Sequence, residues 1–172
     1  MKKIIVGQDD IIELKDVINF TKQTWERFLS QDNGNTKQEF LDAKIPDVDV
    51  PHPETPTPNF CYDKDFIIED RIEARILLRQ WCRKNGGKQL TNSIVYKPNT
   101  LMKWHTNSDN KGVRRYYTYT NGSAWFAYQD KNGKIVYDQD NKGWTIREFE
   151  TPVWHSIFTE NIRFSFGMLM NV

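Results

Sequence analysis

From residue 93 onward, short aromatic and β-branched runs alternate with turn residues, a texture that antiparallel sheet accommodates and helix does not. The runs fall at 93–97, 101–107, 115–120, 123–130, 134–138, 143–150, 153–158 and 163–170. Each is too short to make a helix with a buried face. Asn121-Gly122 and Asn132-Gly133 read as two-residue hairpin turns, because both central positions of such a turn favour positive φ. Strands of this length and spacing predict a mainly β fold, an antiparallel sandwich or barrel with helices at its flank. The aromatic content of 13%, concentrated after residue 90, fits a core carried by sheet.

The first half of the chain reads differently. Ile11, Leu14, Ile18, Thr21, Trp25 and Phe28 recur at three- and four-residue steps, predicting a helix over 9–30 with Asp9 and Asp10 suited to its N-terminus. After a polar break at 30–36, a short helix is expected at 37–44. Residues 45–59 hold five of the seven prolines, so that stretch is extended and neither helix nor central strand. Helical spacing returns over 65–84, with Ile67, Ala74, Leu77, Leu78 and Trp81 on one side. Arg71, Arg75 and Arg79 run down its solvated flank. Asn85-Gly86-Gly87 ends it with residues that tolerate a left-handed backbone. A chain of 172 residues supports one core, so we expect a single domain: a helical and proline-rich support region at 1–92 and a β core at 93–172.

Charge excludes little and points nowhere: 24 Lys and Arg against 23 Asp and Glu leave +1, with no basic block long enough to form a nucleic-acid stripe. The opening Met1-Lys2-Lys3-Ile4-Ile5-Val6 stops being apolar at Gly7, too soon for a signal segment, and no run has the length to span a bilayer. A soluble, intracellular protein with no membrane partner is expected. Cys61 and Cys82 are too few for a disulfide framework and read as reduced thiols, with Cys82 buried at the edge of a helix face and inert.

The candidate chemistry lies between Tyr96 and Ser165. Two of only three histidines, His105 and His155, each follow a tryptophan inside a strand-like run, and Arg163-Phe164-Ser165 lies just downstream. Side chains alternate along a strand, so His105 would share a face with Asn107, and Arg163 with Ser165. If that face lines the interior, Arg163 needs an anionic partner, and a guanidinium beside a hydroxyl suits a carboxylate. Two imidazoles and an amide or carboxyl oxygen would hold a divalent metal and leave positions open for a ligand that reaches Arg163. His52, set between prolines, reads as solvated. Trp104 and Trp154 read as packing residues, and Tyr116, Tyr117 and Tyr119 as sheet residues.

Over about residues 93–170 the chain resembles the Fe(II)/2-oxoglutarate-dependent oxygenases, and among them small phage and prolyl-hydroxylase-like members. The likeness is carried by His105-Thr106-Asn107 for the family's His-x-Asp, by the distant His155, by Arg163-Phe164-Ser165 for its Arg-x-Ser, and by the lead-in Tyr96-x-Pro98. Gly122-Ser123-Ala124-Trp125-Phe126 loosely resembles its glycine-led hairpin. The resemblance implies a double-stranded β-helix (jelly-roll, cupin-like) core and a cytoplasmic setting, the host's if phage-encoded. It also implies Fe(II), 2-oxoglutarate and dioxygen, with hydroxylation or demethylation of a peptide, protein or nucleic-acid substrate. His105 and His155 would ligate iron, and Arg163, Ser165 and Tyr96 would hold the co-substrate. The family's acid is Asn107 here, which leaves three readings: Asn107 ligates, or Asp109 replaces it after a turn, or the site is impaired. Asp109 lies two residues on, roughly 6 to 7 Å along a continuing strand. Met102 falls near where many hydroxylases place a tyrosine, so that contact is absent or comes from Tyr96, Tyr117 or Tyr119. Arg114 and Arg115 are expected at the substrate mouth. Two other functions fit the same residues: a non-catalytic β-helix binding module, and a cupin-like zinc or manganese enzyme that does not use 2-oxoglutarate.

Overall fold

The alternating runs resolve into two antiparallel sheets packed face to face. A computed structural model describes residues 1–4, 8–53, 60–62 and 67–171, with side chains at 1–4, 14–53, 67–91 and 93–171. In chain order these form β1 (Lys2–Ile4), α1 (Gln8–Phe20), α2 (Lys22–Leu29), α3 (Lys37–Asp42), β2 (Phe60–Tyr62) and α4 (Ile68–Lys84). Then come β3 (Gly87–Tyr96), β4 (Thr100–His105), β5 (Gly112–Thr120), β6 (Ala124–Gln129), β7 (Ile135–Gln139), β8 (Gly143–Thr151), β9 (His155–Thr159) and β10 (Arg163–Met170). The larger sheet has the order β1-β8-β5-β10-β3-β2, the smaller β4-β9-β6-β7. From β3 to β10 the chain passes repeatedly between the sheets, which is the winding of a double-stranded β-helix, or jelly roll.

Strand alternation gives the larger sheet two unlike faces. Its outer face presents Val95, Tyr117, Trp144, Phe164, Phe166 and Met168, against which α1, α2 and α4 lay Leu14, Val17, Trp25, Phe28, Leu78 and Trp81. Each such side chain contributes about 1.5–3 kcal/mol on burial, so the helices are held by this layer rather than by propensity. The outer face of the smaller sheet is covered by Phe40 of α3, whose helix opens with a reciprocal Thr36–Glu39 capping box. The inner face of the larger sheet mixes polar with apolar side chains. Register aligns Tyr96 with Arg163 and Thr120, then Ile94 with Ser165 and Thr118, then Gly167 with Tyr116 and Arg147, then Gln89 with Leu169, Arg114 and Phe149. That face and the smaller sheet enclose the cavity that concerns function.

Several expectations need correcting. The helix expected over 9–30 is two, because the Thr21 amide bonds both Val17 O (3.1 Å) and Ile18 O (3.2 Å), tightening the last turn of α1. The side chains of Asp9, Asp10 and Ile11 lie outside the described residues, as do Pro56 and Pro58. The β core begins at Gly87 rather than 93, directly after the helix end; a Cβ at Gly87 would overlap Cys82, so only glycine permits this tight junction. Asn121-Gly122 is no hairpin turn, since β5 and β6 belong to different sheets, and the amide end of Asn161 packs where a Cβ at Gly122 would stand. Asn132-Gly133 belongs to a longer loop, organised by Asp130 Oδ1, which accepts from the amides of Asn132 and Lys134 (both 2.9 Å). No helix among the described residues is long and apolar enough to cross a membrane.

Candidate metal centre

His105 ends β4 and His155 begins β9, and the register pairs them directly across the smaller sheet. Their rings meet inside the cavity with centroids 4.0 Å apart. Each Nδ1 lies against a backbone carbonyl, His105 on Lys103 O at 2.9 Å and His155 on Val153 O at 2.8 Å. A carbonyl can only accept, so both Nδ1 atoms carry hydrogen and both Nε2 atoms present a lone pair. Burial disfavours the charged imidazolium. It pulls the His105 pKa from 6.5 to about 4, assisted by His52 and Arg114 against the Lys103 hydrogen bond. Burial likewise holds His155 well below its ordinary value, with His105 the next cause. Two neutral, oriented imidazoles at neutral pH are the form that binds a transition metal.

Asn107 joins them by a route that strand alternation does not describe. The strand stops at His105, and Asn107 takes φ 57°, a left-handed conformation that asparagine tolerates better than most residues. This turn brings its Nδ2 to 3.1 Å from His155 Nε2 and 3.5 Å from the Tyr116 hydroxyl. The proline-rich segment holds the turn in place: Thr106 and Asn107 donate their amides to Val50 O (2.9 Å) and Pro51 O (3.0 Å). Asp49 accepts the hydroxyls of Thr106 and Ser108, both at 2.6 Å, and those bonds hold its pKa below the usual carboxylate value.

Asp109 is placed elsewhere. Its carboxylate meets His52 Nε2 at 2.5 Å with both side chains largely exposed, so the fourth residue after His105 turns outward. Among the described residues no third His, Cys, Asp or Glu joins His105 and His155 in a metal-ligating group. The donor set is therefore two imidazole nitrogens and an amide. Half a turn of the Asn107 side chain exchanges Nδ2 for Oδ1 beside His155, an exchange that a cation between them would favour. Such a set fits a divalent transition metal, with neutral ligands throughout.

At the other end of the cavity Arg163 is 1% exposed and lies over the Tyr96 ring, 5.1 Å from its centre, with Ser165 two residues along the same face. It has an anionic partner inside the protein, which sequence reading did not foresee: its Nε donates to Asp140 Oδ2 at 2.7 Å. Arg147 Nη1 bonds the second oxygen of that carboxylate, while its Nε and Nη2 bond Asp138 (2.9 and 2.7 Å). Burial would raise the Asp140 pKa, but Arg163 and Arg147 together hold it below the ordinary value. Arg163 Nη1 is left buried with no hydrogen-bond partner, on a residue that lines the cavity. Ile94, Met102, Phe126 and Ile157 supply the apolar wall of this space of about 70 Å³.

The tyrosines divide by strand parity. Tyr96 faces the cavity and donates to Met102 Sδ at 3.7 Å, whereas Tyr117 is packed in the outer helical layer with Tyr119 beside it, so neither takes the tyrosine role considered for them. Tyr116, read as a plain sheet residue, lines the cavity together with Tyr96. Arg114 turns inward and Arg115 outward to Glu148 (2.7 Å). Asp140 and Arg147 were missed because nothing local marks a turn aspartate as buried; parity with Thr145 and Phe149 along β8 was the available signal for Arg147.

No protein-family model matches the chain, and no curated protein matches it. Among solved structures it is similar to a Bacillus subtilis oxalate decarboxylase variant at 22% identity and TM-score 0.36, over 47% of this chain and 21% of that one. The formate complex of Lactobacillus farciminis oxalate decarboxylase matches at 19% identity and TM-score 0.37, over 52% and 26%. The Drosophila melanogaster CENP-C cupin domain matches at 13% identity and TM-score 0.36, over 47% and 59%. The matched stretch thus spans about a fifth of the Bacillus chain. The fold assignment rests on the strand order of the protein itself.

Proposed function

We propose that this chain is a jelly-roll metal enzyme in which His105, His155 and Asn107 hold one divalent transition metal, and that its finer identity is an Fe(II)/2-oxoglutarate-dependent oxygenase. One observation carries the reading: two neutral imidazoles with inward lone pairs share a cavity with a buried arginine that has an unpartnered Nη1. Fe(II) would supply dioxygen activation, and 2-oxoglutarate the electrons released by its oxidative decarboxylation to succinate. The protein's own contribution is positional. The Lys103 and Val153 carbonyls fix both rings, Arg163 Nη1 and the Ser165 hydroxyl receive the far carboxylate of the co-substrate, and Tyr96 braces the guanidinium. Phe126 and Ile157 line the space with apolar surface, and a lower local dielectric there would strengthen each of these contacts. The reaction on the substrate, a peptide, protein or nucleic acid, would be hydroxylation or demethylation.

A second reading has its own support. Asp140 already neutralises Arg163, as a cupin-like zinc or manganese enzyme without a dicarboxylate co-substrate would require. Anaerobic addition of Fe(II) and 2-oxoglutarate separates the two. The oxygenase reading expects a weak visible charge-transfer band and, on admitting air, succinate. Metal binding with neither band nor succinate, and activity that survives Arg163→Ala, would select the second.

A further inference from the structure

We propose that a second cavity beside the metal centre receives an anionic group of the substrate, a carboxylate or a phosphate, with Arg114 as its cation. This rests on the metal-centre reading only in calling the bound molecule the substrate.

A guanidinium removed from water is stable only with opposite charge or complete hydrogen bonding. Arg114 is 5% exposed and has neither. Its Nη1 donates to the Tyr116 hydroxyl and its Nη2 to Asn110 O, both at 3.0 Å, and its Nε is buried without an acceptor. Both acceptors are neutral, and among the described residues no carboxylate pairs with it. The two other buried arginines, Arg147 and Arg163, share Asp140. Arg114 alone among them has no counter-charge.

The space in front of it suits an anion. A cavity of about 250 Å³ is bounded by Gln89, Thr91, Asn107, Asn110 and Arg114. Thr91 Oγ1 is buried there with no partner, a second polar atom awaiting a ligand. Gln89, Leu169 and Arg114 stand in one row across β3, β10 and β5, which separates Gln89 from Arg114 by about 9–10 Å, two strand spacings. An oxyanion between them would meet the guanidinium on one side and the amide and hydroxyl on the other. Asn107 and His52 border both this cavity and the one holding His105 and His155. A molecule anchored at Arg114 therefore presents its adjoining atoms to the metal ligands.

The test follows the Arg114 Nε–H by proton–nitrogen NMR on the full chain, assigned by its loss in Arg114→Lys. Sodium acetate and sodium phosphate are titrated separately, against sodium chloride at matched ionic strength. A saturable shift in the millimolar range by either oxyanion is expected, and the tighter binder names the substrate group. Gln89→Glu leaves Arg114 in place and builds a carboxylate into the same cavity. It is expected to raise Tm and to weaken the oxyanion response about tenfold. No saturable shift with either oxyanion, or an unchanged response in Gln89→Glu, overturns the site. Cobalt(II) binding read in parallel keeps the two readings apart: an oxyanion response in a protein that binds no cobalt supports the anion site and defeats the metal centre.

Discussion

At one end of the interior Arg163 and Arg147 close on the single carboxylate of Asp140, whereas at the end bordered by His52 a third buried arginine, Arg114, meets only a phenol and a backbone carbonyl. The residue type and the burial are the same, and the partners differ. A buried cation neutralised within the chain belongs to the fold, and one left open implies that its counter-ion comes from outside. Arg163 stands between these cases, since its Nε is committed and its Nη1 is not.

Asp140 is the residue on which the difference between the two ends depends most. Asp140→Asn would leave Arg163 buried without its anionic partner and Arg147 with Asp138 alone, and urea unfolding should show a loss of about 3–5 kcal/mol. A loss below about 1 kcal/mol would mean that the two ends do not differ in kind.

Acid titration probes the middle of the cavity. His105 has a folded pKa of about 4 against an ordinary 6.5, so the unfolded chain takes up its proton first. The resulting stability is complete above pH 6.5 and is lost as pH falls toward 4, by about 3 kcal/mol for His105, with His155 acting in the same direction. Asp140, held below its ordinary value, keeps the far end paired at the start of that fall. Stability of the metal-free protein measured from pH 7.5 to 4 should show this slope, flattened in His105→Gln.

Two smaller effects sharpen the contrast. Asn107→Asp should raise cobalt(II) affinity about tenfold, ~1.4 kcal/mol, because a carboxylate replaces a neutral amide at a φ that aspartate also tolerates. Arg114→Met should change stability by less than about 1 kcal/mol in either direction, since it removes two hydrogen bonds together with an uncompensated charge.

Sequence reading reached the parts of this site that depend on local alternation. Arg163 and Ser165 were legible because they lie in a strand whose parity is fixed by sequence, and His105 and His155 because each stands in a strand-like run; His105 faces inward across a register shift after Met102. Strand number and spacing pointed to a sandwich or barrel, and the resemblance narrowed that to a jelly roll. Asn107 was legible in position but for the wrong reason, since it arrives by a left-handed turn rather than by parity. Tyr116 was indistinguishable from Tyr117 until the register of β5 on β10 showed which of them faces inward. Asp140 was invisible, because a polar residue in a turn is ordinarily solvated and only the stacking of the two sheets buries this one. The role of the proline-rich segment was also hidden: its prolines announce extended chain, not that the carbonyls of Val50 and Pro51 would brace the Asn107 turn.

His105 and His155, far apart along the chain, are proposed to hold one metal ion between them. Cobalt(II) titration of the metal-free protein, followed by visible absorption, tests it most directly. One equivalent per chain is expected in the wild type, with binding lost in His105→Ala and equally in His155→Ala. Full-strength binding in either variant would contradict the shared site.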